Sequence, residues 1–267
     1  NVKVVANKAW TANSDKEFQY YEGGPSYNLY WGKKNNNDAA IAHNKTAGEY
    51  RTASTAESQA ASAAASAADG HQRNINRAQR CIDGDTGACS GIATLAWKDG
   101  SCGNAGYYYC DDSCVSQARS YQGKESSRKE DDIASKIAHE TAALNYTNAA
   151  ISETNQAIAH ENLAIQYGEQ LAVNLARLPY SMDLAGELQS MRDWVTQLQE
   201  AVVAMEDYAA SLSTAIAADK AALSLQHAMT CLYTLAGDSG SLTAAEQQTL
   251  ATEAYNSLAA ASAGYRG

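Results

Sequence analysis

Six cysteines are the residues most capable of chemistry, because thiols form disulfides, bind metals or act as nucleophiles. Five lie close together and the sixth stands far downstream: Cys81, Cys89, Cys102, Cys110, Cys114 and Cys231. A structural zinc site needs closely paired cysteine or histidine ligands. No histidine lies within 81–114, and the shortest cysteine spacing is that from Cys110 to Cys114. Disulfides are therefore the predicted chemistry.

The number of cysteines carries a second prediction. If all six pair within the chain, one of the first five must bond to Cys231 and tie 81–114 to a distant helix. In the loop-entropy treatment, closing so long a loop stabilises the fold by roughly 4–5 kcal/mol. The alternative is an odd thiol left for an intermolecular bond. Sequence does not choose among the 15 possible pairings.

Three other patterns resemble pieces of known sites. The zinc-protease motif needs a second histidine four residues after the first, and alanine stands there after both His139-Glu140 and His160-Glu161. We therefore predict that both pairs are exposed helix residues. The segment 83–87 begins like a calcium loop but lacks the bidentate glutamate, so it is predicted to be an acidic turn. The Gly-Asp-Ser-Gly-Ser run at 237–241 lies between predicted helices and is predicted to be a turn. These patterns favour a non-catalytic chain without metal or cofactor.

The elements that position these residues are predicted to be long helices. Alanine is abundant and only two prolines occur in 267 residues, which favours helix over short strands. Four helices are expected, at about 38–80, 116–178, 183–235 and 243–262. A disordered Ser/Ala linker is the alternative for the first of them. The fourth opens with a capping box from Thr243 to Glu246.

The third helix carries a ten-residue apolar seam that alternates in steps of four and three. Its members are Leu184, Leu188, Met191, Val195, Leu198, Val202, Met205, Ala209, Leu212 and Ile216. Such a seam requires a partner helix. The second helix repeats isoleucine or leucine every seven residues from Ile137 to Ile165, with alanine just before most of them. Asparagines at 148, 155 and 162 either face the partner helix or flank this Ala/Ile seam.

The predicted fold is all-α: an elongated antiparallel helical hairpin or coiled-coil bundle with a disulfide-rich loop head. Residues 1–37 are predicted to be an irregular aromatic segment, with a short strand at Val2–Val5. Residues 38–267 are predicted to be a single elongated domain with the disulfide-rich insertion at 81–114.

Aromatic residues are the main candidates for a binding surface, because tyrosine and tryptophan combine a flat apolar ring with a polar tip. They lie among glycine and asparagine in two groups: Tyr20, Tyr21, Tyr27, Tyr30 and Trp31, then Tyr107, Tyr108 and Tyr109. The alternative is a small core that caps one end of the bundle. The two readings are compatible.

Charge and modification patterns restrict the function further. A net charge of −10 argues against nucleic acid as a partner, and no apolar run is long enough to span a membrane. Sequons at Asn44 and Asn145, the cysteines and a start at Asn1 without a signal segment favour a mature secreted or cell-surface glycoprotein. The favoured function is a structural or surface protein that self-associates into an oligomer or filament. The alternative is a module that binds a glycan or protein through its aromatic, disulfide-bonded end.

Overall fold

Helices make up most of the chain. The computed structural model describes residues 26–100, 105–176, 184–238 and 240–264. Its helices are α1 (Tyr27–Ile82), α2 (Asp112–Leu175), α3 (Ala185–Asp238) and α4 (Ala244–Gly264). A short antiparallel sheet lies between α1 and α2, formed by β1 (Ala96–Lys98) and β2 (Tyr107–Tyr109). The all-α prediction is confirmed, and the elongated outline stays a prediction.

The chain divides into two compact units. Unit 1 comprises Asn1–Ser54 and Leu144–Ala210, and unit 2 comprises Thr55–Ala143 and Ser211–Gly267. The helices α1, α2 and α3 each contribute residues to both units. The single domain over 38–267 stays a prediction.

Helix α1 begins at Tyr27, so the prediction of an irregular segment through residue 37 is wrong for residues 27–37. Tertiary contacts explain the difference, because they engage side chains that locally favour turns. The Asn36 side-chain oxygen lies 2.9 Å from Nδ1 of His160, and Asn37 donates to the Glu161 carboxylate at 3.0 Å. Residues 1–25, including the predicted strand at Val2–Val5, lie outside the described residues.

The predicted seam of the third helix is confirmed. All ten of its members are buried, each with at most 8% of its surface exposed. In unit 1, Leu184, Leu188, Met191 and Val195 pack with Leu171 and Leu175 of α2 in one apolar cluster. Burying large aliphatic side chains is the main stabilising term in such a bundle. In unit 2 the seam ends at Asp219, whose carboxylate accepts a hydrogen bond from Lys136 of α2 at 2.6 Å.

Alanines form much of the buried face of helix α2. Ala143, Ala150, Ala157 and Ala164 are each 0% exposed. Asparagines at 148, 155 and 162 are exposed, so they flank the seam instead of facing the partner helix. The absence of a side chain beyond Cβ lets neighbouring helices approach closely at the alanine positions.

Helix α1 has a buried stripe with a strict seven-residue period. It consists of Ser26, just before the helix, followed by Lys33, Ala40, Ala47, Ser54, Ala61, Ala68 and Ile75. Most members are small, which permits close packing against α2. In unit 1 this contact includes a 2.9 Å hydrogen bond between the hydroxyls of Ser54 and Thr147. We call this set the small-residue stripe.

Two predicted helix boundaries have different outcomes. The capping box is confirmed, because the Thr243 amide donates to Glu246 at 2.7 Å and the Glu246 amide donates to the Thr243 hydroxyl at 3.3 Å. The third helix does not end at residue 235 as predicted, because α3 runs to Asp238 and so includes the first two residues of the predicted turn at 237–241. A Cβ on Gly237 would lie 3.2 Å from the backbone of Arg119. This glycine therefore allows α3 to pack closely on α2.

Candidate functional site

The β-hairpin of unit 2 presents four exposed aromatic rings. Trp97, Tyr107, Tyr108 and Tyr109 are 52%, 54%, 61% and 39% exposed. Trp97 pairs with Tyr108 across the two strands. Because side chains alternate between the faces of a strand, Trp97 and Tyr108 share one face while Tyr107 and Tyr109 share the other. We call these four side chains the aromatic hairpin.

Local contacts hold the Trp97 indole in place while much of its surface stays accessible. Its ring meets the Tyr108 ring in an edge-on arrangement with centroids 4.7 Å apart. The indole N–H donates to the Asp99 carboxylate at 2.8 Å. One side of the ring covers Gly106, where any Cβ would collide with the indole. A ring fixed in this way loses little conformational entropy when a ligand covers it.

The other predicted aromatic group lies elsewhere. Tyr27, Tyr30 and Trp31 occupy the first turns of α1 in unit 1, with the Tyr30 and Trp31 rings 5.3 Å apart. Tyr30 is half-buried against the apolar cluster, whereas Trp31 is 38% exposed. The structure therefore assigns the two groups to different units, and Tyr30 has the core role that was the alternative. Tyr20 and Tyr21 lie outside the described residues.

Four cysteines of unit 2 converge next to the hairpin. Disulfides join Cys81 to Cys89 and Cys110 to Cys114. The four sulfur atoms all lie within 4.8 Å of one another. Spacing in the sequence gave no sign of this convergence, because it results from bringing the end of α1 to the start of α2. Cys102 lies outside the described residues.

The predicted long-range disulfide to Cys231 is wrong, because Cys231 is a free, buried cysteine. Its sulfur lies 3.7 Å from Nε2 of His227, one turn earlier in α3. The Nδ1 atom of that imidazole is 2.6 Å from Glu130 of α2. Cysteine, histidine and carboxylate thus follow the order of a nucleophilic triad. Burial raises the pKa of the Cys231 thiol, and the charges of Glu253 and Glu130 raise it further, which disfavours the thiolate that nucleophilic chemistry requires.

The sulfur cluster leads to a prediction about disulfide exchange. In a Cys89→Ser variant the freed Cys81 thiol lies 3.9 Å from the sulfur of Cys114. The Cys81 thiolate is expected to attack that sulfur, form a Cys81–Cys114 bond and release Cys110 as the thiolate, with no net oxidation or reduction. Alkylation of free thiols followed by peptide mass spectrometry is expected to label Cys110. Labelling of Cys81 with Cys110–Cys114 intact would contradict the prediction.

A cross-helix ladder joins α1 and α2 at steps of seven residues or multiples of seven. Its rungs are Asn36–His160, His43–Glu153 and Tyr50–Tyr146 in unit 1, and Glu57–His139 and His71–Glu125 in unit 2. The hydrogen-bonded rungs span 2.6–2.9 Å. The pairing order shows that the two helices are antiparallel within each unit. His139 and His160 are 21 residues apart, a multiple of seven, and this spacing was the sign of the ladder in the sequence.

The prediction that both His-Glu pairs are exposed is wrong, because the glutamates are buried and the histidines are half-buried. Glu140 and Glu161 are 7% and 0% exposed, because they follow the ladder position on the side of α2 that faces the interior. Burial raises the pKa of Glu161, hydrogen bonding from Asn37 and the charge of Lys33 partly offset this rise, and Glu187 adds to it. Glu125, which is 2% exposed, behaves in the opposite way. Burial alone would raise its pKa, but hydrogen bonds with His71, Asn74 and Arg128 hold the pKa below its ordinary value.

These opposite shifts predict opposite pH effects. A raised folded-state pKa means that Glu161 contributes stability in its protonated form, which is lost as pH rises from 4.5 through the folded-state value. The stability of Glu161→Gln is therefore expected to fall less than that of the wild type as pH rises. The stability contributed by Glu125 is present above pH 4.5 and is lost as pH falls through its lowered folded-state pKa. Glu125→Gln is therefore expected to gain less stability than the wild type as pH rises. Urea unfolding of both variants and the wild type at several pH values between about 3 and 7 checks the signs. Parallel pH profiles for the two variants would contradict them.

A cavity in unit 2 has a volume of about 320 Å³. Its walls come from α1, α2 and α3 and are mostly apolar: Gln72, Ile75, Lys129, Ile133, Ala222, Leu225, Gln226, Met229 and Tyr233. Burial lowers the pKa of Lys129. Its ammonium donates to Gln72 at 2.6 Å, so this cation already has a partner in the wall.

The remaining predicted positions have structural roles. Asp85 and Asp111 accept backbone hydrogen bonds from Ala88 and Cys114 at 3.2 and 2.9 Å, which fits an acidic turn and a helix cap. Asn145 is exposed and Asn44 is half-buried. Both lie within helices, and glycosylation stays a prediction.

Comparison with known proteins gives no relative, since no protein family, curated protein or solved structure matches the chain. No helix among the described residues is both long and apolar enough to cross a membrane.

Proposed function

We propose that the protein is a non-catalytic binding module of the cell exterior, and that its aromatic hairpin recognises a glycan. The observation that carries the proposal is the exposure of four aromatic side chains on two strands of three residues each. Exposed aromatic groups of this density mark interaction sites. The two disulfides beside the hairpin support an oxidising environment such as the cell exterior.

The size of the surface favours a small ligand over a large protein partner. Fully covered aromatic side chains bury about 150–250 Å² each, so the two half-exposed rings on each face of the hairpin offer about 200 Å². A standard protein–protein interface takes about 800 Å² from each partner. A sugar ring fits the smaller area, because its apolar face can stack on the indole while its hydroxyls reach the Asp99 carboxylate and the tyrosine hydroxyls.

A glycan array followed by calorimetry on the best ligand tests the proposal. The double variant Trp97→Ala/Tyr108→Ala is expected to lose binding while its circular dichroism stays that of the wild type. Tyr255→Ala is the matched control, because Tyr255 is a 72% exposed tyrosine on α4. Absence of any glycan ligand, or undiminished affinity of the double variant, would refute the proposal.

Self-association is a second candidate function. It is favoured by large aliphatic side chains that point outward from the helices of unit 1: Ile41, Val173 and Val203 are 54%, 58% and 57% exposed. Packing with another copy would cover them. Light scattering on native protein is expected to give a multiple of 28.3 kDa, whereas a monomer at all accessible concentrations would exclude this candidate.

A further inference from the structure

We propose that His227, Cys231 and Glu253 form a zinc site in unit 2, with Glu130 orienting the imidazole. One donor atom from each of the three residues lies within 4.8 Å of the other two. Two of the residues are one turn apart on α3, and Glu253 comes from α4. This site is separate from the aromatic hairpin and does not depend on the proposed glycan binding.

The geometry of the first two donors suits tetrahedral zinc. Zinc bonds to sulfur at about 2.3 Å and to imidazole nitrogen at about 2.0–2.1 Å, so the two donors should lie about 3.6 Å apart. The distance between the Cys231 sulfur and Nε2 of His227 is 3.7 Å. A four-residue spacing on a helix places both side chains on one face.

Glu130 has the place of the residue that usually supports a zinc-bound histidine. Metal-binding imidazoles generally donate their other N–H to a carboxylate, which fixes the tautomer and the ring orientation. Here Glu130 lies 2.6 Å from Nδ1 of His227. A proton on Nδ1 leaves the lone pair of Nε2 directed at the position beside the thiol.

The three donors complement zinc in charge as well as in position. On binding, the Cys231 thiol releases its proton and the sulfur becomes a thiolate ligand. Glu253 is exposed, so its carboxylate can adjust to the ion. Three protein ligands leave a fourth position for water.

Zinc at this site would fix α4 to α3. Helix α4 has 21 residues, of which only Ala254 and Ala261 are buried. These two small side chains give α4 little apolar contact. A bond between Glu253 and an ion held by α3 would therefore add a substantial part of the interaction that keeps α4 in place.

Cobalt substitution tests the site, because a thiolate–cobalt bond gives a charge-transfer absorption band in the near ultraviolet. Wild-type protein freed of metal by a chelator is expected to bind one Co²⁺ with this band and to exchange it for Zn²⁺. Cys231→Ser is expected to abolish the band. Glu130→Gln is expected to weaken binding about 10–100-fold. Glu253→Gln, at an exposed position, is expected to weaken binding with no change in helix content.

Matched controls separate this site from others. His139→Gln removes a histidine of unit 2 that is paired with Glu57. Glu200→Gln removes an exposed carboxylate of α3. Both variants, and Cys102→Ser, are expected to keep the band and the affinity. Zinc is also expected to slow hydrogen exchange in peptides of α4. Absence of the band in the wild type, its persistence in Cys231→Ser, or unchanged affinity in Glu253→Gln would overturn the proposal.

Discussion

Leu171→Ala is expected to lower the free energy of unfolding by about 2–5 kcal/mol. Leu171 is 1% exposed and belongs to the apolar cluster of unit 1, together with Leu175, Leu184 and Leu188. Its replacement removes three carbon atoms from a cluster whose walls come from α1, α2 and α3. The loss combines the transfer free energy of those atoms with the cost of the cavity that remains.

Leu163→Ala on the same helix is the control, because Leu163 is 43% exposed. Its effect is expected to stay below about 1 kcal/mol, since surface substitutions rarely change stability much. Both values can be measured by urea unfolding followed by circular dichroism. Equal losses in the two variants would show that the buried cluster does not have the position described here.

Ala157→Leu is expected to destabilise unit 1 by about 1–3 kcal/mol or more, although leucine is more apolar than alanine. Ala157 is 0% exposed and packs with Ala40 of α1 and Leu198 of α3. The added side chain has no space between these helices, so it must adopt an unfavourable rotamer or push the helices apart.

Ala159→Leu gives the matched comparison, because residue 159 is exposed on the same helix. Leucine and alanine have similar helix propensities, so this change is expected to be almost neutral. Thermal unfolding of the two variants measures the difference. A gain in stability for Ala157→Leu would show that the helices are less closely packed than the structure indicates.

Large side chains made part of the fold predictable. The α3 seam consists mainly of leucine, valine, isoleucine and methionine, which stand out against polar neighbours and define a period in sequence. All ten predicted members are buried. The capping box was predictable for a similar reason, because Thr243 and Glu246 satisfy each other's backbone amides locally.

The rest of the fold was not predictable, because it depends on small and polar residues in the interior. The small-residue stripe of α1 uses alanine and serine, which also fill the exposed positions of that helix, so composition gave no contrast between faces. Glu161 and Glu140 appeared to be surface residues because their burial depends on partners that are distant in sequence. The cysteine cluster arises from helix pairing, as does the approach of Glu130 and Glu253 to His227 and Cys231. Spacing along the chain does not encode such pairing.

The cross-helix ladder has a consequence for how α1 and α2 find their correct alignment. Alanine-rich stripes look alike after a shift of seven residues, so their packing alone scarcely distinguishes the native register from its neighbours. A slip of seven residues in one direction would place Glu57 opposite Asp132, and a slip in the other would place Tyr50 opposite Glu153. The first slip brings two carboxylates together, and the second separates the stacked rings of Tyr50 and Tyr146. The ladder therefore specifies the register in which two nearly uniform helix surfaces pack.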